Sequence, residues 1–177
     1  MPAAAAARYG MLIAMDINAL LLAEFDSELK ATRAALERVP NQPDFAAHPK
    51  SMPLKNLAPH VAQLPEFGVL VLTTPGLDFA TAQFQRLPFE SAAQLVAAFD
   101  TGAARVRSAL TAATENSWSA NWKLSHGSAT LFEGSRFVAY RQMFLNHLVH
   151  HRAQLGVYLR LLNVAVPRTY GPSADEQ

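Results

Sequence analysis

Residues 146–160 read NHLVHHRAQLGVYLR and carry three of the chain's six histidines, His147, His150 and His151. His147 and His151 stand four residues apart. On a helix their imidazoles lie one turn apart on one face and can converge on a single ion, as paired helical histidines do in zinc sites. The chain has no cysteine, which excludes thiolate ligation, a cysteine nucleophile and a disulfide scaffold, so nitrogen and oxygen remain as metal donors. On an ideal helix of about 100° per residue, with Phe144 at zero, Phe137, Tyr140, Leu148, Leu155, Tyr158, Leu159 and Leu162 fall within roughly 60° and define the buried face. His151 lies about 20° from the centre of that face and His147 about 60° from it. His150, about 120° away, is expected to face water or a partner subunit. Arg152, about 80° from the centre, is expected to form a salt bridge at the boundary of the core.

Two imidazoles on a face otherwise built of Leu, Phe and Tyr cost free energy unless each finds a partner. A metal ion satisfies both at once; polar residues that fell together by chance on a solvated face are the competing reading, and for His60 alone it is a core histidine bonded to a backbone carbonyl. A third ligand must come from another element. His60 sits between Leu57 and Leu64, three and four residues away on one apolar stripe, and completes a trio of His60, His147 and His151. His48 and His126 fall in predicted loops and are poorer candidates. Three neutral nitrogens on zinc, nickel or a similar divalent ion leave coordination positions open, the pattern of a catalytic rather than a structural site. Neither H-E-x-x-H nor E-x-x-H occurs, which argues against a zincin protease and a di-iron carboxylate site. No Gly-rich phosphate loop occurs either.

Those ligands need a folded scaffold. At 177 residues, 50% of them hydrophobic, the chain is long enough for one domain with a full core that does not depend on metal. Fifteen Lys and Arg against 14 Asp and Glu give a formal charge of +1, too little basic field for nucleic acid to be expected as a partner. The segment MPAAAAARYGMLIAM lacks a basic region ahead of an apolar core, and no run of 18 apolar residues follows. The expectation is a cytoplasmic protein without a membrane partner. Residues 1–10 are expected to be a disordered extension, and residues 11–177 a single folded domain.

Apolar periodicity predicts four helices. The first runs from Asn18 to Val39 and is ended by Pro40 and Pro43. The second runs from Met52 to Leu72, with Ser51 as its cap and Pro53 in its first turn; Pro59 and Pro65 are expected to bend or break it. The third spans Ser91 to Ala113 and the fourth Ser135 to Asn163, bounded by Pro167 and Pro172. Residues 73–91, TTPGLDFATAQFQRLPFES, read as a connector. Residues 114–134, TENSWSANWKLSHGSATLFEG, read as a long loop or short irregular hairpin, in which Trp118 and Trp122 are expected in the core or at a dimer contact rather than over the metal. The predicted fold class is all-α, an up-and-down four-helix bundle.

LAPHVAQLPEFG, followed some eighty residues later by NHLVHHRAQLGVYLR and then VPRTYGPSADE, resembles the DinB family of damage-inducible bacterial proteins, within the DinB/YfiT-like superfamily of metalloenzymes. HPKSMPL ahead of the second helix fits the same pattern. The resemblance implies a four-helix bundle, commonly homodimeric, that binds a divalent metal through one histidine of helix two and an H-x3-H pair of helix four. Here these are His60, His147 and His151. Pro59, directly before the first ligand, departs from the Thr or Ala of many relatives. Because the superfamily includes thiol-dependent transferases and isomerases, the resemblance implies a metal-dependent thiol S-transferase using a low-molecular-weight thiol and a small-molecule substrate. A metal-dependent hydrolase and a non-catalytic metal-binding stress protein are the alternatives.

Overall fold

A computed structural model of the chain describes residues 16–177, so the expectation of a disordered extension over residues 1–10 lies outside the described residues. Helix α1 (Ile17–Leu36) is capped by Asp16, whose carboxylate accepts from the amides of Asn18 at 2.9 Å and Ala19 at 3.4 Å. Helix α2 (Leu54–Thr73) begins at Pro53, not Ser51. Its first amides are satisfied by the preceding connector: Leu54 N donates to Phe45 O and Lys55 N to Pro43 O, both at 2.8 Å. A side-chain cap is therefore unnecessary. Helix α2 runs continuously through Pro59 and Pro65 instead of breaking. Both prolines are buried, and the packing of α2 holds the helix where local propensity opposes it.

Strand β1 (Gly76–Asp78) follows, then α3 (Ala92–Ala112), capped by Ser91 through a 3.1 Å bond from Gln94 N. A single short helical turn, α4 (Glu115–Ser119), leads into the hairpin of β2 (Asn121–His126) and β3 (Ala129–Ser135). Gly127, at φ +59°, makes the turn between them. Strand β1 lies parallel to β2, and β2 antiparallel to β3. This three-stranded sheet makes the all-α expectation only approximate. The last helical rod has three parts: α5 (Arg136–Ala139), a π-helical turn (Tyr140–Leu145) and α6 (Asn146–Leu161). It ends with Asn163 in the left-handed region, at φ 58°, while Asn163 N donates to Arg160 O and Val164 N to Leu159 O.

The contacts among the long helices correct the up-and-down ordering. On α1 and α3, Asn18 meets Ala113, Asp26 pairs with Arg107 and Arg33 with Asp100, so these two helices are antiparallel. On α2 and the last rod, Met52 meets Tyr158, His60 meets His147 and Leu72 meets Arg136, again antiparallel. Glu24 pairs with Arg141 and Glu28 with Arg152, so α1 and the rod run in the same direction. Helices α2 and α3 pack against each other and therefore also run in the same direction, in an up–down–down–up arrangement. The segment between Thr73 and Ala92 must travel back along the fold, which explains its length and its position beside the site.

Two close contacts bring α2 against its neighbours. A Cβ on Gly102 would lie 2.9 Å from Pro65 Cβ, and one on Gly68 would lie 2.8 Å from the ring of Phe144. The second contact sets α2 directly on the π turn. The core also holds Trp118 and Trp122, as expected: Trp118 Nε1 donates to Asn18 Oδ1 at 2.6 Å, and Trp122 packs edge-on against Phe67. Phe137, expected in the core, is instead 37% exposed. A π turn takes more residues per revolution than an α-helix, so angles counted back from Phe144 at about 100° per residue drift across it.

Candidate metal centre

The three sequence-predicted histidines converge. His60, from the second turn of α2, and His147 and His151, from α6, turn their Nε2 atoms to one point: His60 Nε2 is 3.4 Å from His147 Nε2, which is 2.8 Å from His151 Nε2. Among the described residues this is the group of imidazole and carboxylate side chains arranged so that it could hold a metal ion. All three are partly buried. His150 is exposed and stands outside the cluster, as its angle predicted, although its ring lies 4.9 Å from that of His151. His48 lies in the connector before α2, where its Nδ1 accepts from Lys50 N, and His126 ends β2; neither joins the group.

The outward nitrogens fix the tautomers. His147 Nδ1 lies 3.3 Å from Met143 O, and His151 Nδ1 lies 2.7 Å from Gln154 Oε1. Gln154 Nε2 lies 3.1 Å from His150 Nε2, which accepts from it when the His150 proton is on Nδ1. A carbonyl acceptor at each Nδ1 requires the proton there, which leaves both Nε2 atoms as lone-pair donors facing each other at 2.8 Å. Two lone pairs at that separation repel and cannot form a hydrogen bond with each other. A divalent cation coordinated by both would satisfy them. For comparison, tetrahedral zinc with Zn–N bonds of about 2.0–2.1 Å separates its nitrogens by roughly 3.3 Å.

The electrostatics keep the rings neutral. Burial, followed by the charges that His151 and His147 would carry, pushes the His60 imidazole down to about 4. Burial and His151 lower His147, and burial lowers His151 against the opposing effect of its hydrogen bond to Gln154. Three neutral imidazoles of this kind are the ligand form that a divalent metal needs.

Arg152 corrects the sequence reading. It is buried rather than at the boundary, and its guanidinium donates from Nη1 to Glu28 Oε2 at 2.5 Å and from Nη2 to the Tyr170 hydroxyl at 2.7 Å. Tyr170 in turn donates to Glu28 Oε1 at 2.9 Å. The YGPSADE tail is thus tied to the helix that carries two of the histidines. Tyr158, placed on the buried face by its spacing, is buried and donates its hydroxyl to Met52 O.

A cavity of about 890 Å³ opens on the site, with His60, His147 and His150 in its wall. Sequence reasoning missed most of this wall, including Gln63, Phe67, Phe79, Phe84, Met143 and Asn146. Gln63 and Phe67 stand on α2 with His60, Met143 lies in the π turn and Asn146 begins α6; Phe79 and Phe84 are brought in by the segment that returns from α2 to α3.

The mostly helical fold with a three-histidine cluster between two helices defines a class of metal-competent helical proteins. The DinB family model matches residues 18–177, and the chain belongs to the DinB family. It is similar to the structure of a DinB-like protein from Bacillus subtilis, at 18% identity and a TM-score of 0.64 over 85% of this chain and 97% of that one. It is also similar to a DinB-like protein from Bacillus cereus, at 18% identity and a TM-score of 0.61 over 84% and 95% of the two chains. No match was found among functionally curated proteins.

Proposed function

We propose that His60, His147 and His151 bind a divalent metal, zinc or nickel, and that the protein is a metal-dependent thiol S-transferase. The observation that carries the metal reading is the pair of facing Nε2 lone pairs, fixed by Met143 O and Gln154 Oε1 on the opposite nitrogens. When bound, the ion supplies Lewis acidity that brings a coordinated thiol or water toward ionisation near neutral pH. The chain's own residues hold the ion from one side and leave the other side to the cavity.

The choice of a thiol over a water nucleophile follows the family resemblance; the carboxylate of the cavity wall, Glu66, lies at the surface in an ion pair with Arg105. In the proposed reaction the sulfur forms a bond to an electrophilic carbon of the acceptor, the leaving group departs with its electron pair, and the thiol proton passes to solvent.

The twofold homodimer implied by the family resemblance is part of the same proposal. Val157 and Leu161, one turn apart on α6 and 54% and 53% exposed, supply an apolar pair that a second subunit would cover.

Protein purified without a nickel column should contain about one divalent ion per chain by elemental analysis, because such sites take up whatever divalent ion is offered. His60→Ala, His147→Ala and His151→Ala should each abolish that content. Cobalt-substituted protein should change its visible spectrum when a small thiol is added. A metal content that survives His151→Ala but not His150→Ala would refute the ligand assignment.

A further inference from the structure

The cavity beside the histidines has a composition that says more about its ligand than the metal does. Leu64 and Phe67 come from α2, Phe79 and Phe84 from the returning segment, Leu124 from β2 and Met143 from the π turn. Four separate parts of the chain thus contribute apolar side chains to one space. Its volume of about 890 Å³ suits a small molecule of drug-like size and is too small for a folded partner.

Phe79 and Phe84 stand at the rim, 40% and 51% exposed, with ring centroids 5.8 Å apart. Their exposure is built in. Gln63, on α2 beside His60, donates from Nε2 to Gln85 O at 2.8 Å and accepts at Oε1 from Leu87 N at 2.9 Å, which clamps the backbone next to Phe84. At the other end, Asp78 accepts from Ala80 N at 2.9 Å and Gly127 N at 2.8 Å, which holds the backbone next to Phe79 against the hairpin. Two large aromatic side chains held at the mouth of a cavity leave unburied the apolar surface that a ligand would cover.

Of the charged groups in the wall, Glu66 is paired at the surface with Arg105, which leaves Arg86, while His60 and His147 are neutral. Although Gln85, Gln142 and Asn146 add polar groups, most of the surface that the wall exposes is apolar, which suits a ligand whose body is apolar. We infer that the cavity takes a small amphiphile, with a metal-coordinating anionic head at the histidines and an aryl or medium-chain alkyl body among Leu64, Phe67, Phe79, Phe84, Leu124 and Met143. This rests on the metal reading and specifies the class of acceptor that the site would use. Gln63 is a positioning residue for the rim.

The test uses zinc-loaded, full-length protein and a homologous series of hydroxamic acids, from acetohydroxamate through butyro- to hexanohydroxamate, with 4-phenylbutyrohydroxamate as the aryl member. Zinc content is measured first, and binding is then followed by calorimetry. Each methylene buried in the cavity should tighten binding about fourfold, so hexanohydroxamate should bind on the order of 200-fold more tightly than acetohydroxamate. The double variant Phe79→Ala/Phe84→Ala should keep its zinc and its affinity for acetohydroxamate while the gain per methylene falls below about twofold. Gln63→Leu, which frees the rim without removing an aromatic ring, should also flatten the series. Zinc uptake with an affinity independent of chain length overturns the amphiphile assignment and leaves the metal reading intact. Failure to take up zinc overturns both.

Discussion

Replacing Arg152 by methionine removes the cation from a site that solvent barely reaches. The side chains of Arg152 and Glu28 are 4% and 8% exposed, and the guanidinium meets Glu28 Oε2 at 2.5 Å, Glu28 O at 3.3 Å and the Tyr170 hydroxyl at 2.7 Å. After the substitution the buried Glu28 carboxylate keeps only the Tyr170 hydroxyl, at 2.9 Å from Oε1. Breaking a buried pair from one side costs about 3–5 kcal/mol. With a urea slope of about 2 kcal/mol per M, the unfolding midpoint should fall by about 1.5–2.5 M. The double variant Glu28→Leu/Arg152→Met removes both charges and should recover most of the loss, because replacing an entire buried pair by apolar side chains is often close to neutral. Trp118 and Trp122, both buried in the core, report the transition by fluorescence. The reasoning fails if Arg152→Met costs less than about 1 kcal/mol, or if the double variant costs the sum of the two single ones.

The depressed imidazoles set a pH window. Above about 6.5 His60 is neutral whether the chain is folded or unfolded; between 6.5 and about 4 the unfolded chain binds a proton that the folded chain refuses. The stability of the metal-free protein should therefore decline as pH falls through that window and level off below it, as urea midpoints at several pH values would show. Metal release should correspondingly be centred below the ordinary imidazole range, and release centred at or above about 6.5 in a pH titration with a chromophoric chelator would contradict the lowered imidazoles. Gln154→Leu removes the acceptor at His151 Nδ1 and should weaken metal binding about 10–100-fold, whereas His150→Ala should leave it unchanged; competition against a chelator measures both. Sedimentation should give about twice 19.3 kDa, and a monomer at every concentration tested would refute the dimer.

The inward faces of the helices were legible where local periodicity and tertiary packing agree. Leu148, Leu155 and Leu159 are fully buried, Tyr158 nearly so, and they fix the rotation that turns His147 and His151 toward α2. Legibility failed where a pairing partner is distant in sequence. Strand β1 is three residues long and pairs with Lys123–Ser125, more than forty residues away, so its own segment carries no strand period. The angle of Arg152 placed it at the boundary because nothing near it indicates that Glu28 on α1 will face it. The hairpin was half-read: residues 114–134 allowed a short irregular hairpin, but its register and the packing of Trp122 against Phe67 were not legible. Ser51 failed as a cap because the carbonyls of Pro43 and Phe45 reach the helix start first.

The same non-local contacts decide how a weak motif becomes a site. An i, i+4 histidine pair only guarantees that two rings share a helical face; the third nitrogen must be brought within bonding distance by something else. Here α2 approaches closely because Gly68 leaves room for Phe144, and Phe144 lies in the π turn that immediately precedes the helix bearing His147. Arg136 reinforces the approach by donating to Leu72 O at 2.5 Å and Thr74 O at 3.1 Å, which ties the C-terminus of α2 to the start of the rod. On the opposite side of the rod, Arg152 grips Glu28 of α1 and prevents α6 from turning about its axis. The distance of 3.4 Å between His60 Nε2 and His147 Nε2 is the outcome of those three restraints acting on one helix. Sequence spacing specifies two of the ligands, and the close packing of α2 on the π turn supplies the third.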